Sequence, residues 1–196
     1  MATREFWEEQ HRKANVLWLT HSNPLNVIRT HGLTISPDVR VLDIGVGSGG
    51  FARWCHRQGN KVVSCDISEK ALDKVKDVAD TVLIDDIGSI GVVDLAVCHL
   101  VFQHCTDEQI LHILNNVRLS HRGLFSFQYA NKVGMLSNAR EEAERNGLLY
   151  FRDHNTMDTL ISKAINLKIA WRSGAFFPSP TEKAISWEVI HCEANC

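Results

Sequence analysis

Positive charge is in short supply. The 196 residues carry 21 Lys and Arg against 23 Asp and Glu, for a formal net charge of -2 and a pI near 6.5. Contact with a phosphate backbone needs a basic face, so nucleic acid is not an expected partner. No uninterrupted apolar run reaches the roughly 18 residues of a membrane helix, and no span is expected. The opening "MATREFWEEQ" has neither an apolar h-region nor a cleavage site. No Cys-x-x-Cys pair occurs, His99 and His104 stand five apart, and "HCEANC" lies at a chain end that should fray, so no metal site is expected. Internal repeats and low-complexity tracts are also missing. The six cysteines (55, 65, 98, 105, 192, 196) fall mostly inside predicted strands or helices, which points to reduced thiols and a cytoplasmic setting.

What is present fits one domain over residues 1–196, its 44% hydrophobic content enough for a single core. Seven β-rich runs can be delimited: "VRVLDI" (39–44), "KVVSCD" (61–66), "TVLI" (81–84), "VVDLAVC" (92–98), "GLFSFQYA" (123–130), "LKIAWRS" (167–173) and "AISWEVIH" (184–191). Helical segments separate most of the first five, as parallel crossovers require. "GFARWCHRQ" runs from a glycine turn to Gly59. "SEKALDKVKDVA" starts at a serine N-cap and repeats Leu72, Val75, Val78 and Ala79 on one face. "TDEQILHILNNV" opens with a capping box, Thr106 and Gln109. Residues 85–91 are too few for a helix crossover and read as a loop. Only "GAFFPSPTEK" separates the last two runs, which must therefore pair antiparallel if they pair with each other. The expected fold is α/β: a seven-stranded mixed sheet, five parallel strands plus a C-terminal antiparallel hairpin, with helices on both faces.

Two segments stand outside this alternation. Residues 1–35 read as an N-terminal helical cover of two helices, the first carrying Trp7, Ala14 and Trp18, the second opening at Pro24 and closing at Gly32. Residues 131–166 read as an insertion over the acceptor side: a polar helix "SNAREEAERNG", a loop, and a helix capped near Asn155 or Thr156.

The stretch "VLDIGVGSGG" (41–50) carries most of the chemistry. A strand that runs into glycines and then a helix leaves backbone N–H groups at a helix start, where a ligand can come close because Gly45, Gly47 and Gly49 have no Cβ. Through Gly50 the spacing also satisfies G-x-G-x-x-G, a weak signal alone. Asp43 sharpens it. The dinucleotide fingerprint has an apolar residue there, whereas a carboxylate repels a pyrophosphate and attracts an ammonium or sulfonium. Asp66 ends the second strand 21 residues after Gly45, where an acid can accept both hydroxyls of a ribose. The third strand runs into Asp85-Asp86-Ile87, acids with an apolar neighbour suited to the edge and face of an adenine. An adenosine with a cationic tail satisfies all three positions.

On "VLDIGVGSG", "VVSCDIS", "LIDDI" and "VDLAVCHLVFQHCTDE", over about residues 39–130, the chain resembles the class I S-adenosylmethionine-dependent methyltransferases, closest to their small-molecule branch. The resemblance implies a Rossmann-like fold and S-adenosyl-L-methionine as cofactor. It places Asp43, Gly45, Gly47 and Gly49 around the methionine part, Asp66 and Ile67 at the ribose, Asp85 or Asp86 with Ile87 at the adenine, and Cys98 and His99 along the sulfonium. The loop between the third and fourth strands is shorter than usual, which leaves Asp85 and Asp86 as alternatives.

Methyl transfer from a sulfonium demands alignment more than acid–base work. A hydroxyl acceptor still gains from a base, and His99, His104 and, in the insertion, His154 are the candidates, with Tyr129 and Gln128 able to orient the acceptor. His104 precedes a helix and can equally be a backbone-bonded loop histidine; Arg152 and His154 read as solvated loop residues. The expected function is methyl transfer to a small polar metabolite, on oxygen. The competing readings are an NAD-dependent oxidoreductase, which Asp43 and the terminal hairpin disfavour, and a non-catalytic S-adenosylmethionine-binding protein. The pattern sets no oligomeric state.

Overall fold

The structure is a computed structural model, and it describes residues 3–13, 28, 32–128, 145–148, 150, 152, 154–164, 167–177 and 185–194. In chain order the elements are α1 (Arg4–Arg12), β1 (Arg40–Ile44), α2 (Gly50–Arg57), β2 (Lys61–Asp66), α3 (Glu69–Leu72), β3 (Asp80–Leu83), a 3-10 segment (Ile84–Ile90), β4 (Val92–His99), α4 (Asp107–Asn116), β5 (Arg118–Gln128), α5 (His154–Ser162), β6 (Leu167–Phe177) and β7 (Ile185–Ala194). One sheet takes all seven strands in the order β3-β2-β1-β4-β5-β7-β6. β1 through β5 pair parallel, while β7 runs antiparallel to both β5 and β6. The mixed sheet expected from the spacing of the last two runs is therefore present. The order reverses between β1 and β4, and a crevice for ligands opens beyond the carboxyl ends of strands at such a reversal.

Side-chain alternation explains why the inner strands read as almost continuous apolar runs. One set, Leu42, Ile44, Val63, Cys65, Ala96 and Cys98, packs with Ile110, Ile113 and Leu114 of α4 and Met157, Leu160 and Ile161 of α5. The other, Val41, Val62, Leu95, Val97 and Leu124, packs with Phe51, Ala52 and Cys55 of α2 and with Ala71, Leu72 and Val75. By the same period of two, Asp43 and Asp66 share the second face. Two carboxylates are thus carried by sheet geometry to the α2 side of the crevice.

Three local expectations change. The helix predicted over 68–79 is helical only from Glu69 to Leu72. Beyond it the backbone tightens into turns, with Val75 N–H donating to Leu72 O and Val78 N–H to Val75 O. This seats Val75 on Gly49, where a Cβ would lie 2.4 Å from Val75 Cγ1. The loop over 85–91 is instead wound as the 3-10 segment, whose three residues per turn bury Ile87 and Ile90 together. β5 starts at Arg118, five residues early, directly after α4. The capping box forms as expected: Gln109 N–H donates to Thr106 Oγ1, and Thr106 N–H to Gln109 Oε1. The five described cysteines, Cys55, Cys65, Cys98, Cys105 and Cys192, are not in disulfides. Among the described residues no helix is long and apolar enough to cross a membrane.

Candidate functional site

β1 leaves the sheet at Gly45, whose N–H donates to Cys65 O at 2.8 Å and closes the β1–β2 ladder. The turn that follows needs left-handed backbone at Gly45 (φ 80°), Gly47 (57°) and Gly49 (79°). At Gly45 the missing side chain is also a steric requirement, because a Cβ would meet Val101 Cγ2 at 2.2 Å. Val101 is brought there by Leu100 at the β4 exit, a non-glycine residue at φ 58°. Strain of this kind persists only where surrounding structure imposes it. Here it locks the exits of β1 and β4 together.

Two of the predicted acids converge at this turn. Asp43 is 5% exposed, and its Oδ2 has no hydrogen-bond partner. Burial, reinforced by the charge of Asp66, pushes its pKa up to about 8. Asp66 is buried as well, but its Oδ1 accepts from Ser68 N–H at 2.9 Å. Burial raises it only to about 6, because the amides of Ser68, Gly47, Val46 and Ile67 all favour its charged form. Asp66 is therefore provided for by the protein and Asp43 is not.

The third-strand acids lie elsewhere. Asp85 and Asp86 are both exposed on the 3-10 segment, and Asp85 pairs with Arg4 at 2.8 Å. Ile87, placed at the adenine face by the resemblance, is 1% exposed and belongs to the core under α4. Cys98 is also fully buried, in the same core. Burial drives its thiol well above the ordinary range, with the nearby Cys105, Cys65 and Asp43 adding to the effect. Cys98 is thus no thiolate. His99 stands half-buried at the end of β4.

His104 is half-buried, and its Nδ1 lies 2.9 Å from Leu148 O, so Nδ1 carries the proton and Nε2 is the basic nitrogen. Burial lowers its pKa. Trp7 packs against the ring in a T-shaped arrangement, with centroids 4.9 Å apart. Tyr129 lies outside the described residues, as do Ala14, Trp18 and Pro24 of the helical cover and residues 137–144 of the insertion's polar helix. Of Gln128 and His154 only the backbone is described, at the end of β5 and the start of α5.

Several participants carry no recognisable sequence signal. α1 lies across the carboxyl ends of β2, β3 and β4. Besides Arg4 on Asp85 and Trp7 on His104, Glu8 accepts from the amides of Glu69 and Lys70, and His11 Nδ1 lies 3.0 Å from Lys74 Nζ. Arg152, expected to be solvated, is 7% exposed. Its guanidinium donates to Asp107 Oδ1 at 2.8 Å, Phe102 O at 3.0 Å and Cys105 O at 2.7 Å. Together with Tyr150 N–H on Gln103 O, it fastens the end of the insertion to the β4 exit. Carbonyl acceptors come from tertiary structure, and no sequence pattern announces them.

Residues 41–120 match the family profile described as "Methyltransferase domain". The matched stretch runs from β1 to the start of β5 and contains Asp43, the three glycines, Asp66, His99 and His104. A curated relative, the malonyl-[acyl-carrier protein] O-methyltransferase of Hamiltonella defensa subsp. Acyrthosiphon pisum (strain 5AT), is 32% identical over 77 residues, which are 36% of this chain and 30% of that protein. The chain is similar in fold to the 1,6-didemethyltoxoflavin-N1-methyltransferase of Burkholderia thailandensis, at 14% identity and a TM-score of 0.68, covering 98% of this chain and 87% of that one. It is likewise similar to the magnesium protoporphyrin IX methyltransferase of Synechocystis PCC 6803, at 17% identity and a TM-score of 0.58, covering 81% and 75%. Both structures hold S-adenosylhomocysteine. The matched stretch thus sits within a Rossmann-like α/β sheet similar in fold to these two methyltransferases.

Proposed function

We propose that the chain is an S-adenosylmethionine-dependent methyltransferase acting on a small polar acceptor, on oxygen. One observation carries the cofactor reading: Asp43 is buried beside a glycine turn with an oxygen, Oδ2, that no group among the described residues satisfies. A buried polar atom of this kind calls for a partner, and a carboxylate calls for a cation. The residues fit a sulfonium nucleoside with an ammonium-bearing tail. Asp43 would take the positive tail, the turn from Gly45 to Gly49 offers backbone at close range, and Asp66 with Ile67 lies where a ribose would sit. Asp85 and Asp86, at the exposed rim, would contact the base only at its edge.

When bound, that cofactor supplies an already activated methyl group. The protein's task is then to align donor and acceptor and exclude water, and alignment alone can be worth roughly 7–11 kcal/mol. α1 is placed for exclusion and acts as a lid. The described loop of the insertion, fastened through Arg152 and Leu148, would flank the acceptor side. His104 is held neutral near pH 7 with Nε2 as its basic nitrogen, which suits it to take a proton from an acceptor hydroxyl. His99, at the strand end, is the alternative base. Oxygen as the acceptor atom is supported by the name of the Hamiltonella relative and by these two histidines.

Calorimetric titration with S-adenosylmethionine, followed by product detection over a panel of hydroxyl and carboxyl acceptors, tests the proposal. Micromolar binding with methylated product is expected. No binding at millimolar cofactor would overturn the cofactor reading, and binding without turnover on any acceptor would favour a non-catalytic binding protein.

A further inference from the structure

We infer that Lys74, braced by His11 of α1, is the counter-charge for the carboxylate of the cofactor's amino-acid tail. This rests on the cofactor reading above and deepens it, by assigning the anionic end of a zwitterion for which Asp43 answers only the cationic end.

The geometry centres on Gly47. Its amide is among those turned toward Asp66, and its carbonyl lies 3.4 Å from Lys74 Nζ. Lys74 therefore stands on the rim of the glycine turn, within the electrostatic reach of Asp66. Its ammonium meets His11 Nδ1 at 3.0 Å, which makes the neutral imidazole the acceptor. His11 is 9% exposed. Burial, with the Lys74 charge adding to it, holds its pKa at about 4. Lys74 is half-buried, and among the described residues two of its three N–H donors are engaged. Burial lowers its pKa, an effect that the charge of Asp66 opposes, and among the described residues no carboxylate is in direct contact with it.

Among the described residues, the turn thus presents a buried carboxyl at Asp43 whose Oδ2 is unpartnered and an ammonium at Lys74 with no contacting carboxylate. An α-amino acid carries the complementary pair of charges on one carbon. Such a ligand has a charged group for each of them, whereas an uncharged thioether nucleoside has neither. The position also ties ligand to lid, because His11 belongs to α1. Occupancy at Lys74 would therefore hold α1 closed over the site.

The test compares two ligands on the whole chain by isothermal calorimetry: S-adenosylhomocysteine, which has the amino-acid tail, and 5′-methylthioadenosine, which lacks it. In the Lys74→Met variant, affinity for S-adenosylhomocysteine should fall roughly 10- to 100-fold, the worth of one charge-assisted hydrogen bond, while that for 5′-methylthioadenosine changes less than about twofold. Lys74→Arg should restore most of the difference. Equal losses for the two ligands would show that Lys74 merely secures α1, and no loss for either would show that the carboxylate lies elsewhere; each result overturns the assignment. If the unsubstituted chain binds neither compound at millimolar concentration, the cofactor reading itself fails.

Discussion

Replacing Asp43 by Asn should make the ligand-free protein more stable while abolishing cofactor binding. Folding moves this carboxyl from an ordinary value of 3.8 to about 8, by burial first and the neighbouring Asp66 charge second. The folded state therefore holds a proton that the unfolded chain releases, and folding takes up a proton between about pH 4 and pH 8. Stability contributed by the protonated group is complete below pH 4 and falls as pH rises through that window. At about 1.36 kcal/mol per pH unit, the loss by neutral pH has a ceiling on the order of 4 kcal/mol. Asn has no proton to give up, so its stability should not share this slope. Its amide meets the same environment that leaves Oδ2 unpartnered, which returns roughly 1–3 kcal/mol of the gain. A net stabilisation of about 1–3 kcal/mol near pH 7 is expected, vanishing or reversing near pH 4. Urea denaturation of both proteins at several pH values between 4 and 9 measures it. If the variant were less stable at pH 7 and followed the wild-type pH slope, Asp43 would be ionised and satisfied in the ligand-free fold, and the argument for a cationic ligand would fall.

Gly45→Ala should cost about 2–4 kcal/mol from left-handed backbone and the clash with Val101, and should remove cofactor binding; thermal melts and calorimetry check both. Deleting residues 1–13 should weaken cofactor binding while leaving a cooperative unfolding transition, and unchanged affinity would reject α1 as a lid. Thr106→Ala removes half of the capping box and should cost about 1 kcal/mol in chemical denaturation, with little effect on cofactor affinity. Arg152→Met leaves the carbonyls of Phe102 and Cys105 without this donor and should cost about 2–4 kcal/mol. Its expected signature is faster amide exchange over 101–106 and 148–152, with the rest of the sheet unaffected.

The architecture was readable from local pattern because local physics sets it. Alternation of two residues and the punctuation between runs located seven strands to within a few residues, and the ten residues before the last strand forced an antiparallel return. Thr106 with Gln109 announced the start of α4 because a cap is satisfied within one turn. Asp43 was legible as an anomaly, since a carboxylate in an apolar strand before glycines conflicts with everything around it. Burial depth, by contrast, was decided by the tertiary structure. The sequence placed four acids at strand exits, yet only Asp43 and Asp66 share a face and sink below the rim, while Asp85 and Asp86 ride outward on a 3-10 turn that inserts Ile87 instead. Residues such as Arg152, Lys74, His11 and Leu100 acquired their roles from partners far along the chain, carbonyls and ring nitrogens that any sequence possesses. The strand order and the period of the pleat follow from short-range sterics. Which charge is left unmatched follows only from what the folded chain packs around it.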